Sequence, residues 1–302
     1  MGINKKYDGY EAYQYLEKGK DYKAFKFPKG VGRVPEYYLP LNAEQEKRAA
    51  EIAEKYIFIS LHEHPVFFPE DLGQIFEYNR EGRQAAAYEA LAKSYLDVVF
   101  DNLMDGTCTI SSKNGWKWND VLHDLGMRLC DLAHQDFVIR CEKVDDMVRA
   151  HREGKIALVP TVEGAAILEN EVERVEILYG FGVRMMGITY SEANSLGSGL
   201  KEKNDGGLTA LGYKVVERMN EVGMAIDCSH VGDNTTMDVI EVSTKPVFLS
   251  HCGARAIWNS RRLKPDHVLK ACADKGGVIG IEAAPHTTLT VNNLEHSIDS
   301  FM

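Results

Sequence analysis

The sequence predicts an α/β chain built as a TIM-type (β/α)8 barrel, with about seven of the eight strands present. Three observations predict it. Short β-rich runs recur after helical stretches. Those runs are almost continuously apolar, as in a parallel sheet covered by helices. Four histidines and one glutamate stand at the ends of separate runs, and a barrel gathers strand ends at one mouth where an open sheet spreads them out.

Taken in order, residues 1–41 are rich in Lys, Gly, Pro and Tyr without periodicity. They read as an arm packed on the barrel of residues 42–302. Asn42 with Gln45 forms a capping-box pattern ahead of a helix over 43–55. The first strand follows at Tyr56 to Leu61. Further strands are expected at Gly106 to Ile110, Lys155 to Thr161, Gly182 to Thr189, Met224 to Asp227, Pro246 to Leu249 and Gly277 to Ile281. Between them, Leu211, Val215, Met219 and Val222 recur at helical spacing, and Gly223 supplies the stop.

The chain has 302 residues, 44% of them apolar, which is enough for one large core. Lys and Arg total 35 against 45 Asp and Glu, a net charge of -10 with no basic block. Nucleic acid is therefore not an expected partner. No apolar run approaches the roughly 20 residues that span a bilayer, and no signal-like segment opens the chain. Met1-Gly2 lacks the Ser or Thr of a myristoylation motif, since that position is Lys6. Cys108, Cys130, Cys141, Cys228, Cys252 and Cys272 are scattered and form no C-x-x-C pair. Reduced thiols and a cytoplasmic address are expected.

The chemistry is concentrated at strand ends. His62 and His64 alternate along one strand and so point the same way. Glu163, His230 and His251 stand just past three other strands. Any one of these histidines could be an ordinary hydrogen-bonded core residue. Together they exceed what one tetrahedral zinc needs, because a catalytic zinc takes three protein ligands and keeps a position open. Two Zn2+ ions sharing Glu163 fit the set better. Paired metals about 3.5–4 Å apart can hold a bridging hydroxide and polarise a scissile carbonyl, which is hydrolysis. His123, His134, His151, His267, His286 and His296 are assigned no role, and Cys228 and Cys252 read as buried neighbours of the ligands.

From Tyr56 to Met302 the chain resembles the membrane (renal) dipeptidase family of zinc peptidases. The resemblance is carried by Gly207 to Gly212, Val215 to Asn220, Gly223 to Asp227 with Ser229-His230-Val231, and by Ser250-His251-Cys252-Gly253-Ala254-Arg255-Ala256 with Arg261-Arg262-Leu263. It implies a binuclear site with Glu163 bridging, His62 on one metal, His230 and His251 on the other, and a dipeptide as substrate. It also implies an arginine holding the substrate carboxylate, with Arg261 the best alignment and Arg262 the alternative.

Four positions depart from the family pattern. His64 replaces an aspartate ligand, which removes a negative charge. Tyr190 replaces the histidine that stabilises the oxyanion, a role a phenol can fill by donating the same hydrogen bond. Glu282-Ala283-Ala284 replaces an Asn-Phe-Tyr-like stretch. The aspartate expected on an eighth strand has no counterpart before Met302, so a truncated or split chain is expected. The alternatives to a dipeptidase are a related hydrolase of a non-peptide amide, ester or lactone, and an inactive fragment that needs a partner for its last strand. A homodimer is the expectation by analogy with other barrel enzymes.

Overall fold

The computed structural model describes residues 5–32, 40–103 and 116–282. The chain divides into two compact units, Met1–Pro160 and Thr161–Met302.

The first unit carries α1 (Ala43–Lys55), β1 (Ile59–Glu63), α2 (Ile75–Glu81), α3 (Tyr88–Lys93), β2 (Val98–Leu103), α4 (Trp118–Leu132), β3 (Val138–Arg140), α5 (Val144–Glu153) and the start of β4 (Ile156–Val162). Asn42 and Gln45 cap α1 reciprocally, each side chain bonded to the other's backbone N–H. Such a cap stabilises a helix by about 1 kcal/mol. β1 runs parallel to β2, which lies beside β4, and β3 pairs in parallel with the first half of β4. Tyr10 and Tyr13 of the N-terminal segment are buried against Tyr88, Leu132 and Phe137. The hydroxyls of Tyr10 and Tyr88 both donate to the Asp131 carboxylate, at 2.8 and 2.7 Å.

The second unit continues with α6 (Arg174–Gly180), β5 (Met185–Gly187), α7 (Ala210–Val222), β6 (Ala225–Asp227), α8 (Asp233–Val242), β7 (Phe248–Cys252), α9 (Asp266–Asp274) and β8 (Val278–Ile281). The end of β4 pairs with β5, then β5 with β6, β6 with β7 and β7 with β8, all in parallel. Parallel pairing puts every strand's C-terminal end on one side of this sheet. Gly223 ends α7 at φ 85, in the left-handed region a glycine enters without strain.

The strand path β1-β2-β4-β5-β6-β7-β8 has seven members, and β3 lies off it. The strand expected at Gly106 to Ile110 falls outside the described residues, as do Cys108, Ala283, Ala284, His286 and His296. β2 instead occupies Val98–Leu103, buried along its whole length. Its Asp101 and Asn102 disguise it as a loop in the sequence. Asp101 is buried in an ion pair with Arg128, and burial, set against that cation and His64, holds its carboxyl above the usual range. No helix among the described residues is long and apolar enough to cross a membrane.

Candidate metal centre

β4 ends at Val162, so Glu163 emerges at its C-terminal edge. β6 ends at Asp227, three residues before His230, while His251 lies within β7. The parallel order therefore collects Glu163, His230 and His251 at one end of the second unit. His230 Nε2 stands 3.0 Å from Glu163 Oε1 and 3.0 Å from His251 Nε2, and His251 Nε2 is 3.3 Å from Glu163 Oε1. Ligand atoms around a tetrahedral zinc at about 2.0–2.1 Å lie about 3.3 Å apart, so this spacing suits one ion. All three residues are buried.

Local geometry explains how the groups come so close. The register of β7 against β8 shifts between Leu249 and Cys252, a bulge that re-aims Ser250 and His251. Gly187 at the end of β5 lets that strand run against Glu163, since a Cβ there would stand 2.1 Å from the Glu163 carbonyl oxygen. No other residue fits without moving Glu163.

Hydrogen bonding sets the tautomer of His251. Ser250 Oγ donates to Asp227 Oδ2 at 2.7 Å and Ser229 Oγ donates to Asp227 Oδ1 at 2.8 Å. Ser250 has no second hydrogen to give. It must accept from His251 Nδ1, 2.8 Å away, which leaves the Nε2 lone pair facing Glu163 and His230. Acceptor atoms held this close repel unless a proton or a cation stands between them. An imidazole whose Nδ1–H is anchored and whose Nε2 is free is the usual form of a metal ligand. His230 Nδ1 lies 3.1 Å from Ser191 Oγ, a hydroxyl that can donate or accept.

The first unit holds a second imidazole pair. The register of β1 against β2 shifts between Ser60 and Glu63, and His62 and His64 bring their Nε2 atoms to 3.0 Å. His64 Nδ1 lies 2.9 Å from the Asn102 carbonyl oxygen and must donate to it, which leaves Nε2 an acceptor. The Asn102 side-chain amide is 2.9 Å from His62 Nδ1. Its nitrogen faces that atom and donates to it, so the His62 proton sits on Nε2 and is shared with His64 Nε2.

Tyr190 follows β5 and stacks on His230, with ring centroids 4.4 Å apart and planes 15° apart. The two arginines diverge. Arg261 is exposed, donates to the Glu202 carbonyl at 3.0 Å, and lines a surface cleft with Asp205, Asp233 and Arg255. Arg262 turns inward, with Nη1 3.4 Å from the Ser229 carbonyl and Nη2 2.8 Å from Glu282 Oε2. His151 bonds Asp97 and His134 stacks on Tyr15, away from any imidazole cluster. Cys228 and Cys252 are buried free thiols, and burial pushes the Cys252 thiol up to about 12.

Sequence reasoning did not single out Asn102, Ser191, Asp227 or Ser250. Each is a short polar residue within a strand or in the loop just after one. For Asp227 and Ser250 the signal was an acidic or hydroxyl side chain inside an apolar run near a histidine, as in Ile226-Asp227-Cys228-Ser229-His230; Asn102 and Ser191 carried none.

The chain is similar to the dipeptidase tcpJ of Claviceps purpurea, 34% identical over 167 residues that cover 55% of this chain and 39% of that protein. Among solved structures, an amidohydrolase from Pseudomonas aeruginosa is 26% identical with a TM-score of 0.61, covering 77% of this chain and 64% of that one. The probable dipeptidase PvdM from Pseudomonas aeruginosa superposes with a TM-score of 0.66 at 23% identity, covering 81% and 64%. The chain thus spans less than two thirds of the length of each. These likenesses show the TIM-type α/β-barrel fold that the strand order predicts. Residues 46–302 match the family described as membrane dipeptidase (peptidase family M19), and the chain belongs to that family.

Proposed function

We propose that the chain is a binuclear zinc-dependent hydrolase, acting as a dipeptidase. In this reading His62 and His64 would hold one ion and His230 and His251 the other, with Glu163 the carboxylate the family resemblance would have them share. The observation that carries it is the Glu163–His230–His251 group, with the His251 tautomer fixed for ligation and donor spacings that suit zinc. Bound zinc would supply Lewis acidity toward the scissile carbonyl and an activated water.

The protein's own groups do the remainder. Ser250 and Asp227 keep the His251 ring from rotating and hold its hydrogen on Nδ1. The Tyr190 ring, laid on His230, would bring its phenol to donate to the developing oxyanion. Arg262 beside Ser229 is better placed than Arg261 to contact the end of a substrate. Among the described residues the buried Cys141, Cys228, Cys252 and Cys272 form no disulfide, which suits a reducing, cytoplasmic setting.

A second reading is hydrolysis of a non-peptide amide, ester or lactone by the same centre. It is favoured by Glu282, which already engages the guanidinium that would meet a peptide carboxylate. The test is turnover by the zinc-loaded chain across dipeptides, esters, lactones and non-peptide amides. Preference for dipeptides supports the first reading and preference for the others the second. Turnover of none refutes both.

A further inference from the structure

One further charged pair stands beside the Glu163–His230–His251 group. Arg262 lies in the loop after β7, and its Nη1 is 3.4 Å from the carbonyl of Ser229, the residue before His230. Glu282 is the first residue past β8, and its backbone N–H donates to the Cys252 carbonyl at 2.8 Å, one residue after His251. Both groups are thus anchored to residues adjacent to the proposed ligands. Arg262 Nη2 and Glu282 Oε2 meet at 2.8 Å, with the two side chains only 11% and 15% exposed. At this burial the pair is weakly screened and geometrically held.

Pairing of this kind changes what the mouth of the site can recognise. A guanidinium takes a carboxylate best when two of its N–H groups face it together. Here one terminal nitrogen is held by Glu282 and the other leans on a backbone carbonyl. A free carboxylate arriving at Arg262 would also meet the negative charge of Glu282. An uncharged carbonyl meets no such repulsion and can accept from the remaining N–H.

We propose that Glu282 is a specificity-determining residue: it occupies Arg262 as an internal carboxylate, so that the site selects substrates whose end group here is an uncharged carbonyl over those ending in a free carboxylate. The assignment rests on the hydrolase reading of the neighbouring histidine cluster, and within it favours the second form, hydrolysis of a non-peptide amide, ester or lactone, over the dipeptidase form. Glu282 acts on the substrate's end group, so it affects binding more than turnover.

The test is calorimetric binding of L-Ala-L-Ala and of its C-terminal carboxamide to the zinc-loaded full chain, for the wild type and for Glu282→Gln. The expected result is carboxamide bound about 10-fold tighter than acid by the wild type, with the ratio moving by about 10-fold toward the acid in the variant. The wild-type comparison stands by itself if the variant fails to fold. Equal or tighter binding of the acid by the wild type, an unmoved ratio in Glu282→Gln, or binding of neither ligand would overturn the proposal. Hydrolysis is followed in the same samples, and its absence with the preference intact would remove the catalytic reading while supporting the role of Glu282.

Discussion

Ser250 and His251 are neighbours in the chain and also hydrogen-bond partners, with Ser250 Oγ 2.8 Å from His251 Nδ1. Adjacent side chains of a regular strand point to opposite faces. The bulge in β7 brings these two together, and Asp227 then dictates which of them donates.

Replacing Ser250 with Ala removes the acceptor that anchors His251. Zinc affinity is expected to fall by about 10- to 100-fold with the fold retained. Competition with a chromogenic chelator measures it, and an unchanged affinity would show that the anchor does not tune the site.

Gly187 to Ala places a Cβ 2.1 Å from the Glu163 carbonyl oxygen. The strand must shift, and destabilisation of about 1–3 kcal/mol is expected together with loss of bound metal. Urea denaturation and metal analysis of the same variant report both effects. Wild-type stability with full metal content would mean that Glu163 tolerates displacement.

Lys264 is buried, with Nζ donating to the Val231 carbonyl at 2.5 Å and 3.1 Å from Thr236 Oγ1. Burial holds its amine below the ordinary 10.5, against the opposing influence of Cys228, Asp233 and Cys252. Between the folded and unfolded values the unfolded chain binds more protons, so this residue's contribution to stability rises with pH there. At lower pH the charged amine is held in a buried site, at a net cost despite its two hydrogen bonds. The gap in urea midpoint between the wild type and Lys264→Met should therefore shift in favour of the wild type from about pH 8 to about pH 10. Taking the difference removes the opposite trend from the buried thiols, and a pH-independent gap would contradict the burial effect.

The five proposed ligands were legible because metal sites in this architecture use histidines and carboxylates at strand ends, where an apolar run makes them stand out. His62 and His64 were further marked by alternate spacing. β2 was not legible, because Asp101 and Asn102 break its apolar pattern, and their reasons for burial, Arg128 and the imidazole pair, lie far away in sequence. Arg261 and Arg262 could not be separated, since the direction of a loop side chain depends on backbone geometry that spacing does not encode. Glu282 was visible as a departure, but its engagement with Arg262 joins two loops 20 residues apart.

The most direct test of the central claim is the metal content of the zinc-reconstituted chain by mass spectrometry, alone and with His230 and His251 both changed to Ala. A binuclear site predicts about two ions per wild-type chain and a clear loss in the double variant. Essentially no metal in the wild type, or full content in the variant, would contradict it.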